Sequence, residues 1–150
     1  MQVVPYEVEG WGVGELYFVE DRLVYHELPR AGRAENTEHP LVRRLAAYFS
    51  GDRASFADVE LDLEWMTPFQ RAVADALRAI PYGETVTYGE LAALAGHPNA
   101  YRAAGSFCAR NRFPLFVPCH RVVAADGLGP YGSLGSEYKR RLLELEGAVI

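Results

Sequence analysis

The chain has 150 residues, 49% of them hydrophobic and 23% charged, with a formal net charge of −5. Those proportions exclude a disordered, fibrous or disulfide-stapled chain, and no apolar run approaches the ~18 residues that a membrane span needs. The stretch from Met1 to Glu9 has two acids and no base, unlike a secretory signal, so a cytoplasmic, reducing compartment is expected, with Cys108 and Cys119 as thiols.

Residues 11–28 read as two strands, Leu16–Val19 and Leu23–Tyr25, around the polar turn Glu20-Asp21-Arg22. Residues 30–39 read as a loop. Pro40 opens a short helix with Leu41, Val42, Leu45, Ala46 and Phe49 at helical spacing and Gly51 as its stop. Between Phe56 and Leu63, apolar Val59, Leu61 and Leu63 alternate with acids, which predicts an edge or linking strand. The character then changes. Thr67-Pro68 caps a helix whose face carries Phe69, Val73, Ala76, Leu77 and Ile80, and Pro81-Tyr82-Gly83 ends it. Thr87 and Glu90 form a capping box for a helix to Ala95, stopped by Gly96. Asn99 is expected to cap the next helix, to about Arg110. Two short helices about Gly96-His97-Pro98 make a helix-turn-helix pattern. An apolar stretch over 113–125 and a glycine-rich one over 127–135 precede a last helix, for which Ser136 is the expected cap, Leu142, Leu143 and Leu145 the buried face, and Gly147 the end. These elements predict an α+β chain of two domains: a small α/β domain over 1–64 and a mostly helical one over 65–150.

Charge is unevenly spread. From Gly96 to Arg141 there are seven bases and two acids, while the remainder holds eight bases and eighteen acids. A basic segment in an acidic chain is a candidate footprint for a polyanion, and equally a solvated face with no partner. Arg102 and Arg110 on the second helix of the pair favour nucleic acid, although glycine-linked helical pairs are common in proteins that bind none.

The chemistry concentrates at Cys119. A thiol is a good nucleophile only when ionised, and the adjacent imidazole of His120 and cation of Arg121 are two routes to that. By itself the pair reads equally as an inert cysteine beside a structural histidine. Cysteine hydrolases place their cysteine and histidine far apart in sequence, so adjacency does not suggest one. Cys108 reads as core filler. Two cysteines eleven apart without matching histidines make a poor zinc site. No phosphate-cradling glycine motif follows a strand, so neither metal nor cofactor is expected.

The C-terminal half resembles the O6-alkylguanine-DNA alkyltransferases, also called methylated-DNA–protein-cysteine methyltransferases. Pro118-Cys119-His120-Arg121-Val122 looks like the family's active-site signature. Around it Phe69-Gln70, Ile80-Pro81-Tyr82-Gly83, Thr87-Tyr88, Leu91-Ala92, Arg102-Ala103, Ala109-Arg110-Asn111 and Leu142-Leu143-Glu144-Leu145-Glu146-Gly147 keep the family's order over about residues 67–147. The resemblance implies a ribonuclease-H-like N-terminal domain and a winged-helix-like C-terminal domain containing the helix-turn-helix. It implies a DNA repair protein that flips O6-methylguanine out of duplex DNA and takes the alkyl group irreversibly onto Cys119, acting once, as a monomer and without a cofactor.

On that likeness His120 draws the thiol proton through a water, Glu146 polarises His120, and Asn111 braces the loop. Tyr88 presses on the target phosphate and donates to O6. Arg102 fills the gap in the base stack, with Gly89 and His97 also on the DNA side. Tyr131, Gly132, Ser133 and Pro118 wall the guanine pocket. Small residues from Ala103 to Ser106 would let the helix approach the minor groove closely. The sequence also departs from the family. Arg112 stands where proline is usual, which predicts a looser loop or an added phosphate contact. Ala74 replaces a common tryptophan, Tyr101 is bulky beside the arginine finger, and residues 127–138 are rearranged. The rival readings are a relative that binds alkylated bases without transfer, a class that lacks the acceptor cysteine, and a regulatory DNA-binding protein.

Overall fold

A computed structural model describes all residues, Met1–Ile150. The chain groups into two compact units: Met1–Asp62 with Arg112–Pro114, and Leu63–Asn111 with Leu115–Ile150. It is an α+β protein, and none of its helices is long and apolar enough to cross a membrane.

The first unit is an antiparallel meander of β1 (Gln2–Val8), β2 (Gly12–Val19) and β3 (Arg22–Arg30), in that order, with α1 (Pro40–Phe49). Val4, Tyr6, Leu16, Phe18, Leu23 and Leu28 are buried, as alternation across a half-covered sheet requires. β1 lies within the stretch read only for its charges. Pro5 and the acids obscure its pattern, yet proline is tolerated there because β1 is an edge strand. Residues 56–63 do not form the expected strand. They make one parallel bridge, Leu23 to Leu61, with Leu23 N–H donating to the Glu60 carbonyl at 3.1 Å. Their alternation reflects burial of Leu61 and Leu63, not a ladder. Helix α1 starts at Pro40 as expected, with His39 Nδ1 accepting from Leu41 N–H at 3.1 Å.

The second unit holds α2 (Pro68–Arg78), β4 (Val86–Thr87), α3 (Tyr88–Leu94), α4 (Tyr101–Ala109), β5 (Val122–Val123) and α5 (Ser136–Leu145). Capping boxes Thr67/Gln70 and Thr87/Glu90 start α2 and α3. Val73, Ala74, Leu77, Leu91, Ala92, Ala104, Leu142 and Leu143 have no exposed surface. Two expected caps are displaced. Ala100 occupies the N-cap of α4 and makes no side-chain cap, because the turn after His97 places exposed Asn99 one residue too early. Gly135 occupies that of α5 at φ 85°, a conformation that favours glycine, which leaves Ser136 inside the helix. The two-residue parallel pair β4–β5 matches Val86 with Val122 and Thr87 with Val123, and so places the chain after Cys119 beside the chain before Tyr88.

His26 is the polar centre of the first unit and is 1% exposed. Its Nδ1 lies 2.7 Å from the Pro114 carbonyl oxygen, which can only accept, so Nδ1 carries the proton. Nε2 therefore accepts from the Tyr6 hydroxyl at 2.7 Å. Burial pulls His26 down from 6.5 to about 4, against the opposing pull of the Pro114 bond. The unfolded chain binds this proton near pH 6.5 and the folded chain only near 4. Stability is therefore full above the first value and declines toward the second, by about 3 kcal/mol in all. We expect denaturant midpoints that are level above neutrality and fall steadily below it, with a shallower fall in His26→Asn. Burial lowers His120 in the same sense, so the variant retains part of the slope. A wild-type midpoint unchanged down to pH 5 would refute the assignment.

Candidate active site

Helix α5 places Lys139, Leu142, Leu143 and Glu146 on one buried stripe, at the spacing of successive helical turns. Glu146, the C-cap residue, turns a carboxylate inward that no solvent reaches. His120 Nε2 lies 2.6 Å from its Oε2. Arg121 grips both oxygens, Nε to Oε1 at 2.9 Å and Nη2 to Oε2 at 3.2 Å, and its Nη1 donates to the Ile80 carbonyl at 2.7 Å. Gly83 N–H completes the set at 3.0 Å from Oε1. Gly83 sits at φ 82°, and a Cβ there would lie 3.0 Å from the Glu146 carbonyl oxygen, so the position calls for glycine. Burial alone would raise the Glu146 carboxyl, but the bonds and charges of His120 and Arg121 outweigh it and hold the group well below the usual carboxylate range.

An ionised carboxylate can only accept, so His120 Nε2 carries the proton and Nδ1 keeps its lone pair. That Nδ1 is buried and has no hydrogen-bond partner in the protein. Burial also lowers the imidazole's affinity for a second proton, partly countered by Glu146. The resting His120 is thus a neutral base with a carboxylate ready to stabilise it once protonated.

Cys119 opens a single 3-10 turn, Cys119–Arg121, after buried Pro118, and is 4% exposed. Asn111 Nδ2 donates to the Val117 carbonyl at 2.7 Å and reaches Cys119 Sγ at 3.1 Å, so one amide holds both the loop and the sulfur. Burial pushes the thiol up. The Asn111 amide, the Lys139 ammonium, its own backbone N–H and the Tyr131 hydroxyl pull the other way.

The cation acting on the sulfur is therefore Lys139 and not the adjacent Arg121, whose charge Glu146 absorbs. Lys139, read only as part of a basic surface, has no exposed surface. Its Nζ donates to the Pro130 carbonyl at 3.2 Å and lies 5.7 Å from the Tyr88 ring centre. Its place on the Leu142–Leu143–Glu146 stripe was the available signal. Two of the seven bases in the basic segment, Arg121 and Lys139, are thus internal.

Tyr88 is half-buried at the start of α3, against Gly105 of α4 and Gly129 of the glycine-rich loop. Burial pushes its hydroxyl up to about 12, so it stays a donor. Tyr131 is buried in that loop, while Gly132 and Ser133 are exposed. On α4, Tyr101, Arg102, Ala103 and Ser106 face solvent, with the Arg102 guanidinium 5.8 Å from the Tyr101 ring. Ala104 belongs to the core, so only part of the run expected to approach a groove is available. Gly89 and His97 are exposed, the latter with its ring edge-on to Phe69 at 5.1 Å. No cluster of histidine, cysteine or acidic side chains has the makings of a metal site.

This arrangement of thiol, amide, imidazole and carboxylate coincides with a family match. The model of the 6-O-methylguanine DNA methyltransferase DNA-binding domain covers residues 68–148. A methylated-DNA–protein-cysteine methyltransferase of Methanopyrus kandleri is 50% identical over 114 residues, spanning 75% of this chain and 83% of that protein. The crystal structure of Mycobacterium tuberculosis OGT in complex with DNA is 38% identical, with a TM-score of 0.82 over 98% of this chain and 93% of that one. An O6-methylguanine-DNA methyltransferase from Pyrococcus kodakaraensis is 27% identical, with a TM-score of 0.74 over 97% and 98% of the two chains. A signature cysteine within this buried network, a domain match over more than half the sequence and fold agreement over nearly all of it together establish that the chain belongs to the methylated-DNA–protein-cysteine methyltransferase family.

Proposed function

We propose that Cys119 is the alkyl acceptor of this DNA repair protein and that residues 65–150 carry both DNA binding and transfer. The observation that carries the reading is the 2.6 Å contact between buried His120 and Glu146 beside a thiol held at 3.1 Å by Asn111. An inert core cysteine needs no such support. We read the first unit as ribonuclease-H-like and the second as winged-helix-like, as the resemblance implies.

In the proposed reaction the Cys119 proton passes through a water to His120 Nδ1, and the imidazolium is stabilised by Glu146. The sulfur attacks the saturated carbon, the bond from that carbon to O6 breaks, and the displaced electron pair goes to guanine. Tyr88 donates a hydrogen bond to O6 as charge develops. The proton that left sulfur ends on guanine. The product thioether resists hydrolysis, so each molecule acts once. A base within a duplex hides its exocyclic oxygen and must be everted, at about a few kcal/mol. We assign exposed Arg102 to the gap left in the stack, with Gly89 and His97 beside the DNA and Tyr131, Gly132, Ser133 and Pro118 around the base. Recognition of damage in any sequence suits contacts to phosphate and shape. A reducing, cytoplasmic setting suits two free thiols. A role restricted to binding would have no use for Cys119.

Incubation with duplex DNA containing O6-methylguanine should add a single methyl to the intact protein, mapped to Cys119 and absent from Cys119→Ala. Tight binding with unchanged mass would overturn the transfer. Glu146→Gln should slow transfer about a hundredfold and cost about 3–5 kcal/mol of stability, because Arg121 is left buried without its counter-charge; second-order transfer rates and urea midpoints measure the two effects. Arg102→Ala should lose at least tenfold in rate on duplex DNA while reacting normally with free O6-benzylguanine, since only the duplex has a stack to fill. Equal losses on both substrates would remove Arg102 from that role.

A further inference from the structure

The segment between Asn111 and Cys119 holds a feature that the transfer chemistry does not explain. Arg112–Pro114 group with the first unit, whereas the flanking Asn111 and Leu115 belong to the second. Both outer carbonyls of this three-residue segment are taken by a single residue. His26 N–H donates to the Arg112 carbonyl at 2.9 Å, and His26 Nδ1–H donates to the Pro114 carbonyl at 2.7 Å. The Tyr6 hydroxyl fixes the ring from its other side at 2.7 Å, and a Cβ on Gly14 would overlap the Tyr6 ring, so the strands leave that ring its place. Directly after Pro114, Leu115 takes φ 74°, a left-handed conformation unfavourable for a branched side chain. Such strain persists only where the surroundings over-determine the backbone. Four residues further on is Cys119.

We propose that His26 is a positioning residue for alkyl transfer: its ring N–H, bound to the Pro114 carbonyl, holds the strained approach to Cys119 in the one geometry that keeps the sulfur against Asn111. This rests on the reading of Cys119 as acceptor. A nucleophile displaced by about 1 Å can lose about a hundredfold in rate, so the bond bears on catalysis as well as on folding.

Two variants separate the ring's two bonds. The amide nitrogen of asparagine stands as far from Cβ as Nδ1 does, so His26→Asn can still donate to Pro114 but loses Tyr6. The amide of glutamine reaches the Nε2 position, so His26→Gln keeps Tyr6 and loses Pro114. We expect His26→Asn to take the benzyl group from free O6-benzylguanine within about threefold of the wild-type rate, and His26→Gln to be about ten- to a hundredfold slower. Hydrogen exchange read on the same samples should show lost protection over residues 115–121 in His26→Gln alone, with α2 protected in both. Wild-type rate and protection in His26→Gln would overturn the proposal, as would equal losses in the two variants, which would mean a general structural role. If the wild type accepts neither the benzyl group nor the methyl group of O6-methylguanine in DNA, the reading of Cys119 falls on its own. The exchange contrast between the variants still decides whether the Pro114 bond holds the loop.

Discussion

One buried carboxylate organises the reactive half of this protein. Glu146 has lost water entirely, and an unpaired ion in that position would be costly. Its oxygens are met by His120, by two nitrogens of Arg121 and by the Gly83 N–H. The consequences reach outward. Because the carboxylate is ionised, His120 is held as the tautomer with a bare Nδ1. Because Arg121 spends its charge on Glu146 and donates through Nη1 to the Ile80 carbonyl, the end of the α2 region is fixed to the turn that begins at Cys119. The glycine at position 83 is required by the same approach. A carboxylate at the end of α5 thus sets the protonation and the orientation of groups from two other stretches of chain.

The sulfur has a different set of neighbours. Glu146 and Arg121 form a locally balanced pair and leave the thiol to Asn111, Lys139 and Tyr131. Lys139 has no carboxylate partner within ion-pair distance; its charge acts on the two thiols and, more weakly, on His120. A buried ammonium without a fixed anion favours formation of one nearby, and the thiolate of Cys119 is the available candidate. In the reaction proposed above, the site divides the work: one cluster prepares the base, and the other tolerates the charge that the base creates.

The surface follows from this internal use of charge. Removing Arg121 and Lys139 from the outward-facing bases leaves Arg102, Arg110, Arg112, Arg140 and Arg141 exposed, so the polyanion footprint is smaller than residue counts suggest, though still positive against an acidic chain. On α4 the exposed residues that follow one another are Tyr101, Arg102 and Ala103, with small Ser106 a turn later, while Ala104 and Phe107 anchor the helix. The helix thus presents one long cationic side chain beside the exposed Tyr101 ring, on a face that is otherwise of small residues, which suits binding by shape and backbone contact.

Much of this was legible from local chemistry. The capping boxes at Thr67 and Thr87, the proline start of α1, the glycines that end α3 and α5, and the composition of the Cys119 signature are short-range features, and short-range rules read them correctly. Local patterns also misled. Alternation over 56–63 looked like a strand because it records which side chains are buried, without recording whether the backbone finds a ladder partner. β1 was hidden because an edge strand tolerates the proline and acids that weaken its signal. Asn99 and Ser136 are good capping residues one position away from where the backbone needed a cap.

What the sequence determined alone was the five helices, the candidate cysteine and the family, because these rest on residue identity and on neighbours within a few positions. What only the tertiary structure decided was which charge meets which. Arg121 adjoins Cys119 in sequence yet belongs to Glu146, and Lys139, twenty residues away, is the cation that acts on the sulfur. His26, far away in the sequence, holds the Arg112 and Pro114 carbonyls that precede Cys119. Coulomb and hydrogen-bond energies depend on distance in space and on loss of water. Neither quantity exists until the chain has folded, so no spacing along the sequence could have assigned those partners.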